Sequence, residues 1–146
     1  MESVFAQAMR WLVIREHSEK ELRRKLAKKG YAETKINEVM LQLIEQGLQS
    51  DQRYTEAWCR AKISAGYGPL KIKYDLKQQG IAESIIANTV SNDDVFWLEQ
   101  LQIVWQKKYR KIPATAAEHQ KQARFLQSRG FDFSLINKII LQKIDT

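Results

Sequence analysis

The sequence predicts an all-α fold of three tandem three-helix repeats, helix-turn-helix-like units strung into an elongated, slightly curved molecule. Three observations carry that expectation. Gly30, Gly80 and Gly130 stand fifty residues apart; each follows a leucine by four positions (Leu26, Leu76, Leu126) and precedes a bulky apolar residue (Tyr31, Ile81, Phe131). Six residues past each glycine comes isoleucine (Ile36, Ile86, Ile136), and four further on Met40, Val90 and Ile140, a spacing that keeps side chains on one helical face. Only two prolines and six glycines interrupt the chain, which favours long helices over a many-turned β fold.

The elements follow in order. In the first repeat, residues 1–50, helices are expected over 2–16, 19–29 and 33–46. The first carries Val4 and Trp11. The second begins at a capping box, Ser18 with Glu21, and turns Leu22 and Leu26 to one face; Gly30 then ends it as a left-handed C′ residue. Tyr31 packs back over the helix just left, and Ile36 and Met40 mark the inner face of the third. In the second repeat, residues 51–91, helices are expected over 51–65, 69–79 and 82–91. Tyr54 and Trp58 lie on the first, Pro69 suits the first helical position after Gly68, and Ile72 with Leu76 repeats the Leu22–Leu26 pair. In the third repeat, residues 92–146, helices are expected over 93–109, 115–129 and 133–144. Asp93 and Asp94 open the first, which bears Trp97 and Trp105, and Thr115 with Glu118 forms another capping box. Gln122 stands where Leu22 and Ile72 predict an apolar residue, so the repeat is imperfect. Val4, Tyr54 and Val104 also recur at fifty residues. Units this small should stack or share contacts at their short joints; a single nine-helix globule is the alternative.

Composition narrows the function. Apolar residues make up 44% and charged residues 28%, as in ordinary globular proteins. The absence of a long apolar run predicts no membrane span, Met1 to Arg10 lack a secretory apolar stretch, and a lone cysteine, Cys59, allows no internal disulfide. A cytoplasmic location and a monomer are expected. The net charge of +7 is spread along the chain as +2, +2 and +3 over the three repeats, which points to a polyanionic partner or an assembly containing one.

The candidate binding residues are therefore basic. Between Lys20 and Lys29 six cations face one acid, Glu21; with Leu22 and Leu26 inward, Arg23, Arg24, Lys25, Lys28 and Lys29 are expected to form a basic surface, the last three fanning over the far side. The second repeat offers Lys71, Lys73 and Lys77, and the third Lys121, Arg124 and Arg129. Lys107, Lys108, Arg110 and Lys111 add a cluster without an acid. The competing structural role is plain for Lys28, Lys29 and Arg129, which fall in last turns where cations suit the helix dipole. Trp11, Tyr54, Trp58, Trp97 and Trp105 read mainly as core; Tyr67 and Tyr109, near turns and basic residues, are the candidate contact aromatics. His17, His119 and Cys59 have no metal-ligand spacing around them, and no phosphate-cradling loop or acid–base pair is evident, so no catalytic residue, metal or cofactor is expected.

The order and spacing of these motifs resemble the RecX family, bacterial regulators that restrain the RecA recombinase. The residues carrying the resemblance are His17–Ser18–Glu19 before Glu21–Leu22–Arg23–Arg24–Lys25–Leu26 and Gly30, then Asp51, Arg53–Tyr54 and Trp58–Cys59. They continue with Gly66–Tyr67–Gly68–Pro69, Ile72, Leu76 and Gly80–Ile81, and end with Pro113–Ala114–Thr115, Arg124–Phe125–Leu126 and Arg129–Gly130–Phe131. The resemblance implies binding to RecA filaments on single-stranded DNA, in or along the filament groove, with reduced ATP hydrolysis, strand exchange and co-protease activity. The shortage of base-reading side chains on the helix after each turn predicts at most weak, sequence-independent affinity for DNA itself. The alternative is a stand-alone DNA-binding protein of helix-turn-helix type, against which stands the lack of Arg or Lys between Ile81 and Ser91.

Overall fold

The computed structural model describes residues 1–144, with side chains described through Ile140; positions 145 and 146 of the expected third repeat lie outside the described residues. Among the described residues the chain is all helix and loop: α1 (Val4–Ile14), α2 (Glu19–Lys28), α3 (Glu33–Glu45), α4 (Asp51–Ser64), α5 (Pro69–Gln78), α6 (Glu83–Thr89), α7 (Asp94–Lys108), α8 (Ala116–Ser128) and α9 (Phe133–Ile144). No strand occurs among them.

The recurring glycines do what their spacing predicts. Gly30, Gly80 and Gly130 have φ of 97°, 77° and 99°, each one step past the C-cap of α2, α5 or α8. The next backbone N–H reaches back to the leucine carbonyl: Tyr31 to Leu26 at 3.3 Å, Ile81 to Leu76 at 3.1 Å and Phe131 to Leu126 at 3.2 Å. Each glycine N–H closes the shorter inner bond, to Ala27, Lys77 and Gln127. This pairing satisfies carbonyls that a helix end would leave without donors. Leu22, Leu26, Ile36, Met40, Ile72, Leu76, Ile86, Val90, Leu126, Ile136 and Ile140 are all buried, so the periodic positions are the core.

Helix starts follow the sequence signals with two amendments. Ser18 Oγ accepts from Glu21 N–H at 3.1 Å, but the Glu21 carboxylate does not return to Ser18; both its oxygens take the Arg15 guanidinium, at 2.7 and 3.0 Å. Thr115 Oγ1 caps Glu118 N–H at 3.1 Å, while Glu118 reaches one residue further back, to Ala114 N–H at 2.8 Å. The fifty-residue interval holds for buried Val4 and Tyr54 but fails for the first helix of the third repeat. α4 and α7 start at 51 and 94, and the loop from 109 to 115 is longer than its counterpart at 65–68, so the register slips. Val104 is consequently not the counterpart of buried Val4 and Tyr54; it is half-buried, while Trp97, Leu101 and Trp105 form the inner face of α7. Gln122 fills the aberrant position productively, its Oε1 accepting from Trp105 Nε1 at 2.8 Å and its Nε2 donating to the Lys111 carbonyl at 3.3 Å.

The chain divides into two compact units: residues 1–58 with 76–89, and residues 59–75 with 90–146. In the first, α1, α2 and α3 enclose Val4, Ala8, Leu22, Leu26, Ile36, Met40 and Leu43, with Phe5, Trp11 and Tyr31 packed around them. In the second, α9 packs on both α7 and α8, and the Trp97 and Phe131 rings meet edge to face at 6.5 Å.

Candidate macromolecule-binding surface

The basic residues of the first unit separate into engaged and free groups. Lys25 does not fan outward. Its ammonium lies 4.4 Å from the centre of the Trp11 ring and 2.8 Å from His17 Nε2, because α1 and the α1–α2 loop bring both groups against α2. An ammonium has only protons to give, so Nε2 must accept and Nδ1 must carry the ring proton, which goes to the Arg15 carbonyl at 3.1 Å. Burial, and then the Arg15 charge, lower the Lys25 pKa. Burial likewise lowers that of His17, opposed by the Arg15 carbonyl, which favours the protonated ring. Burial pushes the Glu21 carboxyl up, but the Arg15 hydrogen bonds and charge outweigh it and leave it below its usual range. Tyr54, buried and near Glu21, has its phenol raised to about 12. Arg23 is also engaged, with Glu19 at 3.0 Å and Asn37 at 2.6 Å. Arg24, Lys28 and Lys29 are exposed and make no ion pair with a described residue.

On α5 all three lysines have partners: Lys71 with Asp75 at 3.1 Å, Lys73 with Asn92 at 3.3 Å and Lys77 with Glu83 at 3.4 Å. On α8 Lys121 and Arg124 are exposed, without an ion pair to a described residue. Arg110 and Lys111 lie in the exposed loop after α7, where Arg110 adopts φ 58°, a left-handed conformation uncommon for a residue with a side chain.

The second unit gathers the remaining candidates around a cleft of about 320 Å³, bounded by the end of α4, by α7 and by α8. Its apolar wall is Ile63, Ile103 and Val104; Lys107, Lys108, Phe125 and Arg129 complete the basic side, and no acid is among the described residues that line it. The cations rest on rings. Lys108 Nζ is 3.8 Å from the Phe125 centroid, the Arg129 guanidinium is 4.6 Å from Tyr67 and 5.4 Å from Phe125, and Lys62 Nζ is 5.2 Å from Tyr67. Tyr109 meets Phe125 edge to face at 5.8 Å, and burial raises its phenol pKa. Tyr67 and Tyr109 thus serve first as supports for basic side chains. Sequence reasoning passed over Lys62, Phe125 and the aliphatic wall. The spacing of Phe125 and Arg129, one helical turn apart, held that part of the signal; the cleft itself needs three helices and leaves no local trace.

Cys59 is buried and its thiol pKa is raised by burial, which makes it a poor nucleophile. Among the described residues no cluster of His, Cys, Asp and Glu is arranged to hold a metal ion, and no helix is long and apolar enough to cross a membrane.

Comparison with known proteins bears on what such a surface serves. Family profiles described as the first, second and third three-helix domains of RecX match residues 5–43, 50–90 and 94–140. The chain is 38% identical over 134 residues to the regulatory protein RecX of Ectopseudomonas mendocina, covering 91% of this chain and 89% of that protein. It is 37% identical over 140 residues to the regulatory protein RecX of Legionella pneumophila, covering 95% and 93%. Among solved structures, the crystal structure of RecX from Lactobacillus salivarius superposes with a TM-score of 0.78 over 97% of this chain and 94% of that one, at 24% identity. A second structure, of a regulatory protein RecX, gives a TM-score of 0.80 at 24% identity, over 95% of this chain and 70% of that one. At such identity the two structures speak to the fold.

Proposed function

The chain belongs to the RecX family of regulatory proteins, and from that membership we propose that it is a negative regulator of RecA. In this reading it binds RecA filaments on single-stranded DNA and lowers their ATP hydrolysis, strand exchange and co-protease activity, thereby modulating recombination, repair and the SOS response. The observation that carries the reading is the recurrence of exposed cations without an ion pair to a described residue on the second helix of the first and third repeats, Arg24, Lys28 and Lys29 on and just past α2 and Lys121 and Arg124 on α8. A filament presents the same surface again and again, and a repeating basic chain suits contact with successive protomers or with a protomer and its phosphates. Control then requires only tighter binding to one filament state than to another.

Affinity for DNA alone should be weak and indifferent to sequence, since α6 carries neither Arg nor Lys to read base edges. The deciding experiment adds purified protein to RecA on single-stranded DNA and follows ATP hydrolysis. Inhibition at doses too low to coat the DNA is expected. Unchanged hydrolysis together with tight binding to one duplex sequence would overturn the proposal in favour of a helix-turn-helix DNA binder.

A further inference from the structure

We propose that the cleft of the second unit is a docking site for an acidic peptide segment of a partner protein, anchored by one bulky apolar side chain and flanked by carboxylates. The proposal shares with the proposed function only the premise that the partner is a protein. Three features of the cleft point to this occupant.

The first is charge. Lys107, Lys108 and Arg129 border the cavity, and no acid stands among the described residues of its lining. Two of these three cations are held against aromatic faces, so their charge is presented with less freedom left to lose on binding. The second is the apolar wall. Ile103 is 58% exposed although it sits mid-helix on α7, and it stands with Ile63 and Val104 at the mouth of a space of about 320 Å³, ample for one large side chain. The third is the occupation of the rings. Single-stranded nucleic acid is gripped by bases stacking on open aromatic faces. Here Lys108 covers Phe125 and Arg129 covers Tyr67, so stacking would have to displace the cations that the phosphates need. An aliphatic pocket with a cationic rim instead matches an apolar anchor between carboxylates, the usual layout of a buried anchor with a polar rim.

The test uses the full-length protein and three fluorescein-labelled probes followed by anisotropy: the nonapeptide Glu-Asp-Glu-Glu-Phe-Asp-Glu-Asp-Glu, the same peptide with Ser for Phe, and an oligothymidylate of matched charge. The Phe peptide is expected to bind about tenfold or more tightly than the Ser peptide, the loss that follows from leaving one buried aromatic out. Ile103→Asp, at an exposed position that leaves the core intact, should abolish that preference; Lys107→Glu should weaken both peptides. Equal binding of the two peptides, or a preference that survives Ile103→Asp, would overturn the proposal and leave only diffuse charge attraction. Oligothymidylate binding that exceeds the Phe peptide's and is lost in Ile103→Asp would overturn it in favour of nucleic acid. No recombinase is present, so failure here is separate from failure of the hydrolysis assay.

Discussion

At Gly130 two helix ends approach at backbone distance. Gly68 N–H donates to the Arg129 carbonyl at 2.7 Å and Leu70 N–H to the Gly130 carbonyl at 3.0 Å, so the free donors at the start of α5 meet the free acceptors at the end of α8. A Cβ on Gly130 would fall 2.4 Å from Lys71 Cβ and 2.5 Å from Lys71 N, atoms that cannot swing aside. Gly30 has nearly the same φ but open space around its missing Cβ. The pair therefore separates two costs. Gly30→Ala should lose about 1–2 kcal/mol, the left-handed penalty alone, while Gly130→Ala should lose about 3 kcal/mol or more because backbone must also move. Urea midpoints of the two variants check the difference, and equal losses would show the crossing to be unimportant. His17 offers a second test. Its folded pKa lies below the ordinary 6.5, so above that pH the ring is neutral in both states and the full stability is present. As pH falls below 6.5 the unfolded chain takes up the proton first, and stability declines until the folded pKa is reached. Glu21, whose pKa is lowered from 4.5, adds its own loss only at more acid pH. Urea midpoints at pH 7.5 and 5.5 should differ for the parent protein and converge for His17→Gln.

A single helix shows how far the sequence can be read at the scale of an element. On α2 the inward pair Leu22 and Leu26 was legible because a four-residue spacing of leucines has one geometrical meaning, and the end at Gly30 because glycine followed by an apolar residue suits one kind of cap. The outer face was only half legible. Lys25 lies on the flank of the helix, and its fate was settled by Trp11 and His17, which reach it from other segments. Arg24, Lys28 and Lys29 remain the exposed group. Reversing these three to Glu should leave the fold intact, lower the thermal midpoint only by the lost helix-dipole contacts of Lys28 and Lys29, and raise the dose for half-inhibition of filament ATP hydrolysis about tenfold. Reversing Lys25 instead should lower the midpoint, since it removes the contacts to both the indole and the imidazole. A triple variant that inhibits as well as its parent would take α2 out of the binding surface. For α7 the reading failed differently. Val104 was aligned by an interval that a longer loop had shifted, and a residue expected beside the core lines the cleft.

For the molecule as a whole, periodicity and packing divide the chain in different places. The repeats expected from the sequence are 1–50, 51–91 and 92–146, and the matching family profiles cover 5–43, 50–90 and 94–140. The compact units instead take α4 and α5 apart: residues 59–75 belong with 90–146, and residues 76–89 with 1–58. The reason is visible within each unit. Lys20 Nζ donates to the Gln78 carbonyl at 3.0 Å, and Asp51 Oδ1 accepts from Glu19 N–H at 2.9 Å, tying the first repeat to parts of the second. In the other unit, the Gly68 and Leu70 bonds to the end of α8, and Lys73 to Asn92, tie the rest of the second repeat to the third. A repeat taken alone would expose the surfaces and donors that these contacts cover, and its core of three short helices is small for independent stability. The fragment 92–146 should therefore unfold with a broad, weakly cooperative thermal transition. The fragment 59–146, which restores Gly68, Leu70 and Lys73 to their partners, should recover a sharp one, with dispersed amide resonances to match. If 92–146 melts as sharply as 59–146, the sequence repeat is the folding unit and the contacts of residues 59–75 contribute little; if neither melts cooperatively, the second compact unit depends on residues outside 59–146.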